Sequence, residues 1–304
     1  MIEAAGLCKH FGDFVAVHQL TLCVPEGEVL ALLGPNGAGK TTTVRMLASI
    51  LRPTAGWARI CGFDSVRDAR QVRHLVGLLT ELPGLYLRMQ AQEYLDFFGQ
   101  LQGLPASWRA EKIERLLRRF ELWDARAQRL GQYSKGMRQK LALVRALLHD
   151  PCVLFLDEPT SAMDPHSARL VRDAILELRR DHRTVVLCTH NLSEAEMLAD
   201  RIAIIRRGQM IASGTPAELK SQLLGAPLLE LRLACPLDGW LQELQTLVRV
   251  EEHGDTWLRY RTDTAEQVNP RLLQRLAALG VPVVTLSEVP RSLEDVYLRI
   301  VGAP

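Results

Sequence analysis

The segment Gly34-Pro35-Asn36-Gly37-Ala38-Gly39-Lys40-Thr41-Thr42 constrains this 304-residue chain more than any other. It follows an unbroken apolar run, Val29-Leu30-Ala31-Leu32-Leu33, and precedes a helical pattern over 42–50. A run with no polar alternation reads as a strand buried on both faces, which calls for a largely parallel sheet covered by helices. The nine residues fit G-x-x-x-x-G-K-[ST] in a strand–loop–helix context. Glycines let backbone N–H groups curl around phosphate oxygens, and the helix amino terminus adds partial positive charge at the same place. Lys40 can then reach the β- and γ-phosphates, and the Thr41 hydroxyl can bind Mg²⁺.

Two further apolar runs end in polar residues. Val153-Leu154-Phe155-Leu156 leads into Asp157-Glu158, and Val185-Val186-Leu187-Cys188 leads into Thr189-His190. In an open α/β sheet these endings fall on the carboxyl edge, where ligands bind. Asp157 can hold magnesium directly or through water. Glu158 points another way, as adjacent strand-end residues do, and can polarise an attacking water. Between the first and second runs lies a helix-rich stretch in which Ile113, Leu116, Leu117 and Phe120 form one apolar stripe, a packing feature.

Near residue 220 the pattern changes. Leu229, Leu231 and Leu233 alternate with Glu230 and Arg232, as in a half-buried strand. A helix is expected at 237–247, a hairpin around His253-Gly254-Asp255, a helix at 264–278, a strand at 281–286 and a last helix from Ser292. The β-α-β-β-α-β order predicts a small α+β domain over 221–304.

Composition narrows the function classes. Apolar residues are 47% and charged residues 24%, ordinary globular usage, and the net charge of +2 exerts no strong pull toward nucleic acid. Residues 221–304 carry eight arginines and no lysine against eleven acidic residues, a poor nucleic-acid grip. Stretches free of Asp, Glu, Lys and Arg stop at about a dozen residues, short of the ~20 a membrane helix needs. Met1–Gly6 lacks a basic region followed by an apolar core, so no signal peptide is expected. The six cysteines (Cys8, Cys23, Cys61, Cys152, Cys188, Cys235) show no C-x-x-C spacing and read as reduced core thiols of a cytosolic protein. Membrane association would then come through a partner. No lysine is followed two positions later by aspartate, so the Asn-Lys-x-Asp reader of guanine is missing.

Three more segments carry a specific resemblance. Tyr133-Ser134-Lys135-Gly136-Met137-Arg138-Gln139 resembles the signature loop of ATP-binding cassette (ABC) proteins, usually Leu-Ser-Gly-Gly-Gln. Glu158-Pro159-Thr160-Ser161-Ala162-Met163-Asp164 resembles the catalytic glutamate running into the family's D-loop, and Thr189-His190 resembles its switch histidine. The resemblance covers roughly residues 1–220. It implies an α/β P-loop NTPase cassette with a helical subdomain at about 85–150, followed by the ferredoxin-like α+β domain, which would serve dimerisation or regulation.

The same resemblance implies roles. Glu158, His190 and Lys40 would be catalytic. ATP would contact Gly34, Pro35, Asn36, Gly37, Ala38, Gly39, Lys40, Thr41 and Thr42. Phe11 stands where an aromatic stacks on adenine, and Ser134 and Gly136 would reach the γ-phosphate of a second cassette in a head-to-tail homodimer. Mg²⁺ would sit among Thr41, Asp157 and Glu81. Glu81 replaces the family's usual glutamine, so its charge should make nucleotide handling more dependent on Mg²⁺; Tyr133 and Lys135 replace the first Leu and Gly of the signature. The segments Glu81–Gly103 and Ser292–Tyr297 look like the branch that pairs stand-alone cassettes with separate membrane permeases, usually for export of drugs, antibiotics, ions or lipids. Such a subunit would be cytoplasmic, held at the inner face of the membrane by its permease, with no nucleic-acid partner. The alternative is a soluble ABC ATPase acting on ribosomes or DNA; such proteins tend to carry two cassettes, coiled-coil insertions or basic arms.

Overall fold

The computed structural model describes all residues except Ala162, Arg291, Asp295 and 298–304. The chain opens with an antiparallel hairpin, β1 (Ile2–Phe11) and β2 (Phe14–Val24), turning through Gly12-Asp13. β3 (Val29–Leu33) is buried along its whole length and feeds the glycine loop into α1 (Lys40–Leu47). β4 (Ala55–Ile60) pairs back on β1 and β5 (Phe63–Asp64) extends that sheet, whose order is β2-β1-β4-β5. α2 (Ala69–Leu75) and β6 (Val76–Leu79) lead into a helical region of α3 (Ala91–Leu101), α4 (Ala106–Arg119) and α5 (Lys135–Leu147). β7 (Val153–Asp157), α6 (Pro165–Arg180), β8 (Thr184–Thr189), α7 (Leu192–Leu198), β9 (Arg201–Arg206) and β10 (Gln209–Gly214) follow.

The larger sheet runs β10-β9-β3-β8-β7-β6, parallel from β9 to β6 with β10 antiparallel at one edge. β3, β7 and β8 are buried at every position, which is why their sequences lack the apolar–polar alternation of a half-solvated strand. In α4 the stripe works as expected: Ile113, Leu116 and Leu117 are buried, Phe120 packs beside them, and Arg115, Arg118 and Arg119 stay on the wet side. Burial of each such side chain contributes about 1.5–3 kcal/mol.

The chain divides into two compact units, Met1–Pro216 and Ala217–Pro304. α8 (Pro216–Leu224) spans the boundary. The second unit contains β11 (Leu228–Leu233), α9 (Leu241–Leu247), β12 (Val250–His253), β13 (Trp257–Arg261), α10 (Ala265–Ala278) and β14 (Val283–Glu288). Its antiparallel sheet has the order β12-β13-β11-β14, the ferredoxin-like arrangement, over a core that includes Leu231, Leu258, Tyr260, Leu272 and Leu276.

Several boundaries differ from the sequence reading for local reasons. α1 begins at Lys40 instead of Thr42 because Gly39, at φ 106, breaks the helical path one residue earlier. α9 starts at Leu241 instead of 237, since 238–240 form a turn closed by the Trp240 amide on the Leu237 carbonyl and Trp240, at φ -122, lies off the helical path. β14 begins only after Pro282, which has no N–H to give a ladder. The helix expected from Ser292 falls partly outside the described residues, at Asp295 and 298–304; Leu293, Glu294, Val296 and Tyr297 are helical.

Candidate functional site

β8 lies between β3 and β7 in the sheet, so the residues leaving all three strands meet at one edge. Leu33 is opposite Thr189, and Asp157 is opposite Cys188, which places His190 between the glycine loop and Glu158. The loop itself is pressed against neighbours. A Cβ on Gly34 would lie 2.2 Å from the Ile205 carbonyl, and one on Gly39 would lie 2.6 Å from the Ala16 carbonyl. A cavity of about 450 Å³ opens in front of this edge, within the range of small-molecule sites.

Of the residues singled out from sequence, Asn36 through Thr42, Glu81, Asp157, Glu158 and His190 line the cavity. Gly34 and Pro35 lie behind the lining and present carbonyls to the Lys40 ammonium, at 2.6 and 3.1 Å. Lys40 is therefore buried with its charge held by backbone dipoles at the loop's own mouth. The first-turn N–H groups of α1 have no side-chain cap, so they remain available to an anion.

Two hydrogen-bonded pairs stand side by side. The Thr41 hydroxyl donates to Asp157 Oδ2 at 2.7 Å. Burial lifts the Asp157 pKa above its ordinary value; the Thr41 bond opposes that rise and the Glu81 charge adds to it. A buried carboxylate short of positive charge, facing a second carboxylate and a hydroxyl, suits a hard divalent cation. Among the described residues no cluster of three His, Cys, Asp or Glu side chains could hold a metal alone, so phosphate and water oxygens would have to complete its shell.

In the second pair, Glu158 Oε1 accepts from the His190 backbone amide at 3.0 Å and meets His190 Nδ1 at 2.8 Å. Burial also raises the Glu158 pKa, against the lowering effect of His190 and then Lys40. Glu158 holds φ 51, a left-handed conformation unusual for a residue with a side chain. It is fixed there by its amide bonding the Cys188 carbonyl at 2.9 Å and by Gln139 Nε2 donating to its carbonyl at 3.3 Å. Strain of this kind costs of order 1–3 kcal/mol and persists where neighbours over-determine it.

Three sequence candidates lie away from the cavity. Ser134 caps α5, accepting from the Met137 amide at 3.2 Å, and both Ser134 and the adjacent Lys135 are exposed. Gly136 has open space where a side chain would be. Tyr133 fills the apolar place of the missing leucine: its ring is buried and its hydroxyl donates to the Ala125 carbonyl. Phe11 lies exposed at the tip of the β1–β2 hairpin opposite Phe14, and it is Phe14 that lines the cavity. Sequence reasoning did not single out Phe14, Ala16 or Ser161 at the cavity wall, nor Glu194. Buried Glu194 accepts from Thr160 (2.7 Å) and Thr189 (2.9 Å), tying the segment after Glu158 to the strand before His190. Only its position one helical turn beyond His190 hinted at that. Ala162, in the expected D-loop, lies outside the described residues.

Comparison with known proteins adds to this geometry. A family model described as "ABC transporter" matches residues 17–161, and one described as "ATP-binding protein DrrA1-3-like, C-terminal domain" matches residues 214–301. The chain is 37% identical over 303 residues to "Uncharacterized ABC transporter ATP-binding protein YxlF" of Bacillus subtilis (strain 168), covering 100% of both. It is 39% identical over 308 residues to "Daunorubicin/doxorubicin resistance ATP-binding protein DrrA" of Streptomyces peucetius, covering 100% of this chain and 93% of that protein. A solved structure, "Structure of ATP binding subunit of ABC transporter", superposes with TM-score 0.70 at 27% identity over 81% of this chain and 99% of its own.

The raised pKa values set a pH dependence. Protons return to a carboxyl earlier on acidification when its pKa is raised, so the ionised pair is lost above the ordinary 3.8 of Asp and 4.5 of Glu. The same burial disfavours the charged fold at neutral pH, a cost that disappears as pH falls through the raised values. A pH profile of kcat/KM for nucleotide turnover should therefore show its acid limb above 4.5. A limb at or below 4.5 would contradict this assignment.

Proposed function

The chain belongs to the family of ABC transporter ATP-binding proteins, and on that premise we propose that it is the ATP-hydrolysing subunit of an exporter whose membrane passage is a separate polypeptide. The observation that carries this reading is the Glu158–His190 pair standing beside the Thr41–Asp157 pair on one cavity wall. A module that only bound nucleotide would have no use for a strained, buried glutamate aimed at the phosphate end.

Catalysis here is mainly positioning and charge stabilisation. Loop amides and Lys40 grip the phosphates, with Lys40 exchanging its bonds to the Gly34 and Pro35 carbonyls for phosphate oxygens. Glu158 accepts the proton of a water that attacks the γ-phosphorus while the bond to the β–γ bridging oxygen breaks, and His190 fixes the carboxylate's orientation. Thr41, Asp157 and Glu81 would hold Mg²⁺, which when bound neutralises charge on the phosphate oxygens. The nucleobase stacks at the hairpin tip, where Phe14 gives the nearer ring and Phe11 the flanking one. Because Ser134 and Gly136 do not line the cavity of their own chain, a second copy is the natural source of the signature contact, and closure of the homodimer excludes water from the site.

Among the described residues no helix is long and apolar enough to cross a membrane. Transport therefore requires an integral membrane permease, which would hold this subunit at the cytoplasmic face. The resistance role in the name of the Streptomyces peucetius relative supports export. Residues 221–304 serve dimer contact or regulation, and nucleic acid is not a partner.

Affinity purification from solubilised membranes tests the transporter reading. Recovery with a multi-span membrane protein is the expected result; recovery with ribosomes or DNA would transfer the chain to the soluble class. A second measurement concerns Glu81, whose charge adds to the field at Asp157. In Glu81→Gln, metal-free ATP should bind more tightly than in wild type, so added Mg²⁺ should raise ATP affinity severalfold less. An unchanged Mg²⁺ dependence would remove Glu81 from the metal site.

A further inference from the structure

Cys61 and Cys152 stand 91 positions apart in the sequence, yet their sulfurs are 3.2 Å from each other. A disulfide bond is about 2.05 Å long, so about 1.1 Å of approach would close the pair. Cys61 sits in the turn after β4, its own φ at 51, with its amide bonded to the Met1 carbonyl. Cys152 immediately precedes β7, its amide bonded to the Leu75 carbonyl. Each cysteine is joined directly to a packed strand, Cys61 to the end of β4 and Cys152 to the start of β7, so the fold holds the two sulfurs together.

The pair is also reachable. Both residues are half-buried, whereas Cys8 and Cys188 are buried. Cys61 lines a surface cavity of about 340 Å³ together with Glu26, Arg59 and Gly62. Either thiol can donate to the other, and the Cys61 S–H also faces Met1 Sδ at 3.1 Å while the Cys152 S–H faces the Leu75 carbonyl at 3.4 Å. With Cys61 as donor, the bond holds the Cys152 pKa below the ordinary thiol value, and the Arg183 guanidinium nearby favours the thiolate. Arg183 is fixed there by donating to the carbonyls of Asp150 and Pro151.

We propose that Cys61 and Cys152 form a hydroperoxide-reactive dithiol, which oxidises to an intramolecular disulfide tying the β4–β5 turn to the strand that ends in Asp157. The Cys152 thiolate attacks a peroxide oxygen. An S–O bond forms, the O–O bond breaks, and the other oxygen leaves as alcohol or water after taking a proton. The Cys61 sulfur then attacks Cys152 Sγ. The S–S bond forms, the S–O bond breaks, and hydroxide leaves with the Cys61 proton as a second water. Two thiols thus lose two electrons and two protons while one hydroperoxide is reduced. A thiol reductant reverses the bond by exchange.

The test uses the purified full chain treated with hydrogen peroxide, blocked with N-ethylmaleimide and digested without reduction for mass spectrometry. The expected product is a Cys61–Cys152 linked peptide that accumulates before the exposed Cys23 is oxidised and disappears on adding dithiothreitol. In Cys61→Ser, Cys152 should instead be trapped by dimedone as a sulfenic acid, a readout that needs no activity from the variant. Recovery of both Cys61 and Cys152 as maleimide adducts while Cys23 is already oxidised would overturn the proposal. So would a Cys152 that fails to react with dimedone in Cys61→Ser while the variant retains the wild-type circular dichroism spectrum.

Discussion

The parallel pairing of β8 with β3 on one side and β7 on the other sets the distances of the whole first unit. Three strands that start in register along a sheet must also end together, and the segments leaving them then share one edge. Here those segments carry an ammonium, a hydroxyl, two carboxylates and an imidazole. The Thr41–Asp157 bond crosses from the helix after β3 to the end of β7, and the Glu158–His190 bond crosses from the end of β7 to the end of β8. Each contact is long-range in sequence and short-range in space because the sheet register makes it so.

The arrangement is locally unfavourable in ways that suit its chemistry. Two carboxylates are buried side by side, one of them on a left-handed backbone, and a buried lysine gives its hydrogen bonds to the Gly34 and Pro35 carbonyls. Each feature costs folding free energy, and the fully buried apolar strands around them supply the compensation. A ligand that brings phosphate oxygens to Lys40 and a divalent cation to Asp157 relieves both unmet charges at once. Binding and closure would then be coupled through the same few groups.

Much of this was legible from the residues. Unbroken apolar runs identified β3, β7 and β8 because strands buried on both faces have no polar positions to reveal a period. The α4 stripe and the alternation in β11 were readable because each element has one buried face. Element ends were less legible: the start of α9 depends on a turn at 238–240 and on the non-helical backbone of Trp240, neither of which leaves a pattern in residue type. Within the site, local motifs named the loop and the strand-end carboxylates, while Phe14 was not legible because which ring of the Phe11–Phe14 pair faces the cavity depends on how β2 packs against the distant glycine loop. Glu194 and Gln139 matter through buried hydrogen bonds, which leave no compositional trace. The cysteines show the same limit from the other side. Scattered spacing reads as unrelated thiols, and only the packing of the β4–β5 turn against the start of β7 brings two of them together.

Binding and turnover of ATP by wild type and by Glu158→Gln, measured on the same preparations in magnesium buffer, probe the central claim most directly. Backbone amides and Lys40 hold the triphosphate while Glu158 handles the proton, so the variant should bind ATP as tightly as wild type with hydrolysis reduced about 10²-fold or more. Failure of the wild-type protein to bind ATP, or undiminished hydrolysis in the variant, would contradict it.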